Sequence, residues 1–368
     1  MSITHSERSK CRPAVRYSMH TLLLNGDDVD ENARLPDVIR AVEDAFRAYA
    51  EGRTIMPAKS YIDLPAYNGD FRSMPAYLDV RESALSGRSG SSDSDTAETW
   101  DAAAVKWVNV HPDNTADHDL PTVLGTVVYS DPETAFPLAI MDGTVLTRKR
   151  TGAAAAVATD HLAVEDATSM GIVGAGVQSY TQLRAIAEVR PIEEVVVVDR
   201  NPEKVASFVE TFEERFDIRG GSVAEAASCD VLSTVTPVRD PVVEPADVGE
   251  HTHINAIGAD AEGKHELADD LLLAATVVID DYEQCTHSGE INVPWSAGVL
   301  DDGDLHGELG DVVAGRLAGR TPEDGVTVFD STGLAIQDVA AAHVAYERAN
   351  EVDNGTRFEL LRTETEGL

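Results

Sequence analysis

An α/β fold is the class this sequence predicts, with one doubly wound parallel sheet and a second sheet that is antiparallel or mixed. Three observations carry that expectation. The chain has 368 residues, enough for two domains and a sizeable buried core. In its second half, Val-rich runs alternate with segments of helical period. The first of those runs ends in a glycine-rich turn, Met170-Gly-Ile-Val-Gly-Ala-Gly-Val-Gln-Ser-Tyr180.

The elements follow in order. Residues 1–18 are polar, lack periodicity and are expected to form a disordered tail, with Met19 as an alternative start. A short apolar strand over 22–24 leads to a helix with Leu35, Val38, Ile39, Val42, Phe46 and Tyr49 on one face, opened by Pro36 and stopped near Gly52. Strand-like runs at 59–64, 72–78, 105–110 and 122–130 should form one sheet. Between them the Ser/Asp/Gly-rich stretch 86–99 reads as a mobile insertion. An Ala-rich helix over 151–162 leads into the second half. There the glycine turn opens a helix with Leu183, Ile186 and Ala187 on its buried side, and the next strand is Ile192-Glu-Glu-Val-Val-Val-Val-Asp199. Asn201 is placed to cap the following helix, with Pro202 at its first position and Val205, Phe208, Val209, Phe212 and Phe216 at helical spacing. Further strands are expected at 231–235, 254–257 and 276–280.

The glycine turn carries chemistry. Gly174 allows a tight turn out of the strand, and Gly176 lets backbone approach a pyrophosphate held at the helix start by Val177 and Gln178. Ser179 replaces the usual third Gly or Ala, yet is small enough for close helix packing. Asp199 lies about 20 residues on, where an acid accepts hydrogen bonds from the adenosine ribose and repels a 2′-phosphate, so NAD is expected over NADP. Arg200 is the counterweight, because its guanidinium could pair with a phosphate if Asp199 turned aside.

Open α/β sheets bind ligands beyond the carboxyl ends of their strands. Thr234 and Thr236, then Ile257-Gly258-Ala-Asp260, then Asp280-Asp281 occupy such positions. Asp260 is the best placed of them for chemistry. Its alternative is a cap for a helix over 262–267.

Composition narrows the function classes. The chain carries 29 Lys and Arg against 65 Asp and Glu, a formal charge of -36, and its pI is near 4.4. Its lysines are Lys10, Lys59, Lys106, Lys149, Lys204 and Lys264. Acid spread along the whole chain fits a halophilic source, where salt screens self-repulsion. Nucleic acid is not an expected partner, since no basic face is visible. Cys11, Cys229 and Cys285 are too few and scattered for a disulfide framework or a thiolate metal site. His251 and His253 alternate as on one strand face, but without a third ligand they read as structural and no metal is expected. With no signal peptide or membrane-length apolar run, a cytoplasmic location away from membranes is expected.

The runs Lys106-Trp-Val-Asn109, Leu120-Pro-Thr-Val-Leu124, Leu146-Thr-Arg-Lys-Arg-Thr-Gly152, Gly171 to Gln178, Ile254 to Asp260 with Gly263-Lys-His-Glu-Leu267, Gly289-Glu-Ile291 and Phe329 to Asp338 resemble the ornithine cyclodeaminase and mu-crystallin family. The likeness spans residues 20 to 350. His287-Ser-Gly-Glu-Ile-Asn292 and the Ile-Gly-Ala-Asp run are more similar to its archaeal alanine dehydrogenase branch than to the bacterial cyclodeaminases.

The resemblance implies a Rossmann-type nucleotide domain, 148–327, inserted in an α+β sheet domain, 19–147 plus 328–368, that forms a homodimer and the substrate side. It implies Lys59, Arg72 and Arg150 as substrate-facing cations, Lys106 and Asp260 as catalytic residues, and Thr151 and Ser331 beside the cofactor. Lys59 stands where the cyclodeaminases resemble one another in having arginine, which removes bidentate geometry. Independently, a chain that has shed nearly all lysine should keep those with a task. The alternatives are a snorkelling surface lysine at 59 or 106, charge balance at Arg150, and a surface ion pair at Arg72. The expected activity is NAD-dependent oxidative deamination of L-alanine to pyruvate and ammonia. Alternatives are ornithine cyclodeamination to proline, reduction of a ketimine or other imino acid, and a non-catalytic, crystallin-like cofactor-binding protein.

Overall fold

A computed structural model describes residues 20–81 and 100–361. The expected tail and the expected insertion at 86–99 lie outside the described residues.

The first sheet is built from β1 (Thr21–Leu24), β2 (Thr54–Ile55), β3 (Ser60–Leu64), β4 (Gly69–Asp79), β5 (Asp101–Val110), β6 (Val123–Ser130) and β7 (Pro137–Asp142). β1 runs parallel to β7, whereas β3–β4, β4–β5, β5–β6 and β6–β7 are antiparallel. Alternation sorts the long strands into two faces. Met74, Ala76 and Leu78 of β4 and Ala102, Ala104, Lys106 and Val108 of β5 are buried on the inner face. Register pairs Met74 with Lys106 and Arg72 with Val108. Arg72 and Lys106 are therefore diagonal neighbours on that face, a cation pair set by the period of the strand.

The second sheet contains β8 (Ser169–Val173), β9 (Glu194–Val198), β10 (Asp217–Gly220), β11 (Val231–Thr234), β12 (His253–Ala256), β13 (Thr276–Ile279), β14 (Leu305–Glu308) and β15 (Thr327–Asp330). It is parallel throughout, in the order β10-β9-β8-β11-β12-β15-β13-β14. The order reverses direction between β8 and β11, which opens a crevice beyond their carboxyl ends. A further strand, β16 (Thr356–Phe358), returns to the first sheet beside β1.

The helix Gly143–Leu162 joins the two sheets. The expected start at 151 is too late. Asp142 caps the helix by accepting from the Val145 N–H at 2.8 Å, so the basic run 148–150 lies inside it. Gly143 permits this start, because a Cβ there would stand 2.8 Å from the carbonyl carbon of Gly125. From Arg150 to Thr159 every residue is buried. It packs on the helices Leu35–Ala50, Val177–Ile186 and Ala335–Glu351, as a helix apolar on all sides must. Ala side chains and Gly152, whose Cβ would meet Thr181 at 2.8 Å, let these backbones approach. The helix Ala335–Glu351 lies across β4, β5 and β6.

The helix Pro202–Phe212 starts as the sequence spacing predicts, with Asn201 accepting from the Glu203 N–H at 2.9 Å. Residues 261–268 form no helix. Asp260 therefore caps nothing, and that alternative falls. His253 opens β12 whereas His251 precedes it, so the two do not share a strand face. His253 is buried against the Thr327 hydroxyl, 3.0 Å away, and its pKa is pushed down to about 3 by burial. Among the described residues, no helix is long and apolar enough to cross a membrane.

Candidate active site

The glycine turn fits a dinucleotide on its own geometry. Gly174 has φ +105, and a Cβ there would meet the Val235 carbonyl at 2.8 Å. Gly176 serves differently, since its backbone is ordinary but a Cβ would find nothing within 4 Å. It leaves open space in front of the helix Val177–Ile186, which has no side-chain cap. Its first N–H groups are thus available to an anion. Val177 is 67% exposed at that mouth, and the Gln178 side-chain oxygen is buried without a hydrogen bond among the described residues. Asp199 fixes the turn, accepting from Ala175 N–H at 2.8 Å and Asn201 N–H at 2.8 Å. Arg200 is exposed beside it.

Other expected cofactor residues sit deeper. Thr151 lies in mid-helix rather than at a helix start, buried, with its carbonyl accepting from Gln182 at 3.3 Å. The Thr234 and Thr236 hydroxyls and the Gly258 N–H all donate to the buried carboxylate of Glu266. Ile257 is half-buried between two apolar clusters. Ser331 donates to Asp280 at 3.0 Å.

Across from this crevice cations converge from β5, from the residue before β3 and from the linking helix. Lys106, 1% exposed, meets Asp338 at 2.8 Å, and the same carboxylate takes the Arg150 Nε at 3.2 Å. Arg150 also donates Nη1 to Gln337 at 3.0 Å, while Nη2 makes no hydrogen bond among the described residues. Gly333 presses on this guanidinium, because a Cβ there would lie 2.1 Å from Nη1. Lys59 donates to the Thr332 carbonyl at 3.1 Å. Its counter-charge is Asp280, whose carboxylate holds the 331–333 turn through Ser331 and the Gly333 N–H.

Electrostatics tie the group together. Burial pulls Lys106 down to about 7 against the opposing pull of Asp338, with Arg150 and Lys59 adding to the fall. Lys59 is lowered for the same reason, burial first, then Arg150 and Arg72. One charge cannot be removed without the others responding.

Asp260 closes the arrangement from the second sheet. One carboxylate oxygen is bonded to Lys264, and the other lies 3.5 Å from the Arg72 guanidinium, which Asp70 steers from its far side at 2.9 Å. Burial alone would raise the Asp260 pKa, but Lys264, Arg72 and Lys59 together hold it below the usual carboxylate range. It stands as an anion facing a cationic pocket.

Lys59 thus lies within reach of the charges of Arg72, Lys106, Arg150 and Asp260. The glycine turn, Asp199 and Arg200 lie along the nucleotide side of the crevice. Sequence reasoning overlooked Asp338, Glu266 and Lys264. An acid in the first turn of an otherwise Ala-rich buried helix was the available signal for Asp338.

The sequence pattern of the Ornithine cyclodeaminase/mu-crystallin family matches residues 19–88 and 93–353. The alanine dehydrogenase of Archaeoglobus fulgidus is 43% identical over 345 residues, which cover 94% of this chain and all of that protein. An archaeal alanine dehydrogenase dimer solved with bound NAD superimposes with a TM-score of 0.84 at 42% identity, covering 93% of this chain and 100% of that one. The Thermococcus litoralis Δ1-pyrroline-2-carboxylate reductase, solved with NADH and L-proline, gives 0.82 at 37% identity over 91% and 99% of the two chains. With its parallel nucleotide-type sheet, its mixed sheet and these similarities, the chain belongs to the ornithine cyclodeaminase/mu-crystallin family of enzymes.

Proposed function

We propose that this chain is an NAD-dependent alanine dehydrogenase, converting L-alanine, NAD and water to pyruvate, ammonium, NADH and a proton. The observation that carries the reading is the buried Asp338 shared by Lys106 and Arg150, with Asp260 meeting Arg72 from the other sheet. In this reading NAD lies along the glycine turn, and residues 148–330 form the cofactor side, since β15 belongs to the parallel sheet. Residues 19–147 and the chain beyond 330 form the substrate side.

Each residue has a stated task. Arg150, through its open Nη2, and Lys59 hold the substrate carboxylate. Lys106, with a pKa near 7, takes the ammonium proton so that the amine is neutral when the Cα hydride departs. The bound cofactor supplies the acceptor for that hydride. Water then adds to the substrate iminium, and Asp260 accepts its proton and passes it to the leaving ammonia, while Lys106 polarises the developing oxygen. The reading includes a homodimer through the outer face of the mixed sheet, where Ile55, Pro75, Tyr77, Ala103, Val105 and Val128 line an open apolar groove.

Reduction of a cyclic imino acid is the second reading, supported by the likeness to the reductase solved with L-proline. It uses the same pocket and needs no water. An assay in molar salt, as a net charge of -36 calls for, separates the readings. Alanine with NAD should accumulate NADH, whereas ornithine turned to proline without lasting absorbance change, or Δ1-pyrroline-2-carboxylate consumed with NADH while alanine stays inert, would replace the alanine assignment.

A further inference from the structure

One buried carboxylate at the crevice takes no part in this chemistry. Glu266 is wholly buried, and both its oxygens are filled from two separate loops. Oε1 accepts from the N–H and the hydroxyl of Thr236, each at 2.7 Å. Oε2 accepts from the Gly258 N–H at 2.9 Å and the Thr234 hydroxyl at 2.8 Å. Thr234 ends β11 and Gly258 follows β12, so a single side chain ties the carboxyl ends of adjacent strands beside the point where the sheet order reverses. Gly258 has no room for anything larger, since a Cβ would fall 2.3 Å from the Thr236 carbonyl and 2.4 Å from the Glu266 carboxylate.

Four donors match the acceptor capacity of an ionised carboxylate, which donates nothing. An amide cannot replace it. Each oxygen faces one backbone N–H that cannot rotate away, so whichever end of a glutamine carried the NH2 would set donor against donor. Glu290 is a second acid in this pocket, its own N–H donating to Asp330 at 2.8 Å. Its Oε1 accepts from the Glu266 N–H at 2.8 Å and the Leu267 N–H at 2.6 Å, and its Oε2 has no hydrogen bond among the described residues. Burial, then the charge of Glu266, pushes Glu290 well above the carboxylate range. Burial raises Glu266 as well, so the donors decide: four of them face Glu266 and the Glu290 Oε2 has none among the described residues, which puts the charge of the pair on Glu266 and its proton on Glu290.

We propose that Glu266 is a positioning residue for the cofactor, its carboxylate fixing the Thr236 and Gly258 loops at the separation that the nicotinamide end of NAD requires. This rests on the NAD reading above. Glu266 touches no reacting atom in it and acts only through the two loops.

The test is Glu266→Gln beside Glu290→Gln in the full chain, with NADH binding followed by fluorescence and backbone hydrogen exchange followed by mass spectrometry on cofactor-free protein. Glu266→Gln should weaken NADH at least about tenfold, the scale of a hydrogen bond inverted at a charged acceptor. Exchange should quicken in peptides covering 234–238 and 256–260 and stay unchanged across β9. At saturating NAD the KM for alanine should hold within about twofold, a split that general loosening of the fold would not give. Glu290→Gln can turn its amide into the unbonded Oε2 position and should match the parent in both assays. Parent-like NADH affinity and exchange in folded Glu266→Gln, or equal damage in Glu290→Gln, would overturn the proposal. Should Glu266→Gln not fold, Glu266→Asp, which keeps the acceptors but reaches only one loop, takes its place: weakened NADH and faster exchange support the proposal, and parent-like behaviour overturns it. A parent that fails to bind NADH would overturn the cofactor reading and this one together; a parent that binds NADH without oxidising alanine would remove only the substrate.

Discussion

The two sides of the crevice hold their ligand-facing backbone by opposite means. On the glycine-turn side, β8 and β9 present main chain: an uncapped helix start, open space before Gly176, and one half-exposed acid, Asp199, bracing the turn. Around β11 to β15 the strand ends are instead held by wholly buried acids whose oxygens accept from backbone N–H and hydroxyl groups, Glu266, Asp280 and Asp330. A diphosphate needs donors without a counter-charge, which backbone supplies at little desolvation cost. Loops that must stand still over reacting atoms need stronger anchors, and a buried charge is tolerable only when its acceptors are filled.

The largest break in the comparison should come from Asp260→Asn. It should lower kcat by about 10²–10⁴, the usual worth of a general base, while NADH affinity measured by fluorescence stays near parent. Turnover within a few-fold of parent would take Asp260 out of the chemistry. Arg150→Ala should come next, raising the KM for alanine roughly 10–100-fold as a charged hydrogen bond of about 1.5–3 kcal/mol is lost. A KM within about twofold of parent would place the carboxylate elsewhere.

Two glycines sharpen the contrast within the nucleotide side. At Gly171 a Cβ would lie 1.9 Å from the Ala226 carbonyl, so Gly171→Ala should cost about 1–3 kcal/mol or more of stability, read as a fall in Tm. Gly176→Ala meets no atom and should leave Tm alone while weakening NADH several-fold, since the added methyl occupies ligand space. Equal Tm losses in both would show that Gly176 is a folding requirement instead.

A further contrast is in the pH dependence of stability. Lys106 titrates near 7 in the folded chain against 10.5 ordinarily. The unfolded chain therefore binds the extra proton between those values, and the contribution of Lys106 is full above pH 10.5 and fades as pH falls through 7. Asp330, raised from 3.8 to about 7 by burial, has the opposite sense, with its contribution full below pH 3.8 and lost as pH rises through 7. Lys106→Met should flatten the rise in unfolding free energy above pH 7, measured by urea titration at several pH values. An unchanged slope would mean that Lys106 keeps its proton when folded.

Much of this is legible in the chain itself because it is local. Gly174, Gly176 and Asp199 serve a requirement met within one strand, turn and strand, and Asn201 with Pro202 announces a helix start within two residues. The linking helix reads as starting late because 148–150 look like surface charge, whereas burial of Arg150 depends on an acid 188 residues away. Glu266 escapes notice for the same reason. Its partners at Thr236 and Gly258 are 30 and 8 residues upstream, on different strands, and no periodicity relates them. Arg72 and Lys106 lie between these cases: the strand period sets their shared face, but only the pairing of β4 with β5 makes them neighbours.

Asp338 belongs to the last helix among the described residues, Ala335–Glu351, whereas Lys106 and Arg150 are made long before it. Until that helix docks, two cations destined for the interior lack their shared anion, and sealing them away from water without it would cost several kcal/mol. The mixed sheet therefore cannot close over its own pocket during synthesis. A chain cut before residue 335 should leave that face wet and open, and adding the missing helix as a separate peptide is the direct way to see it close.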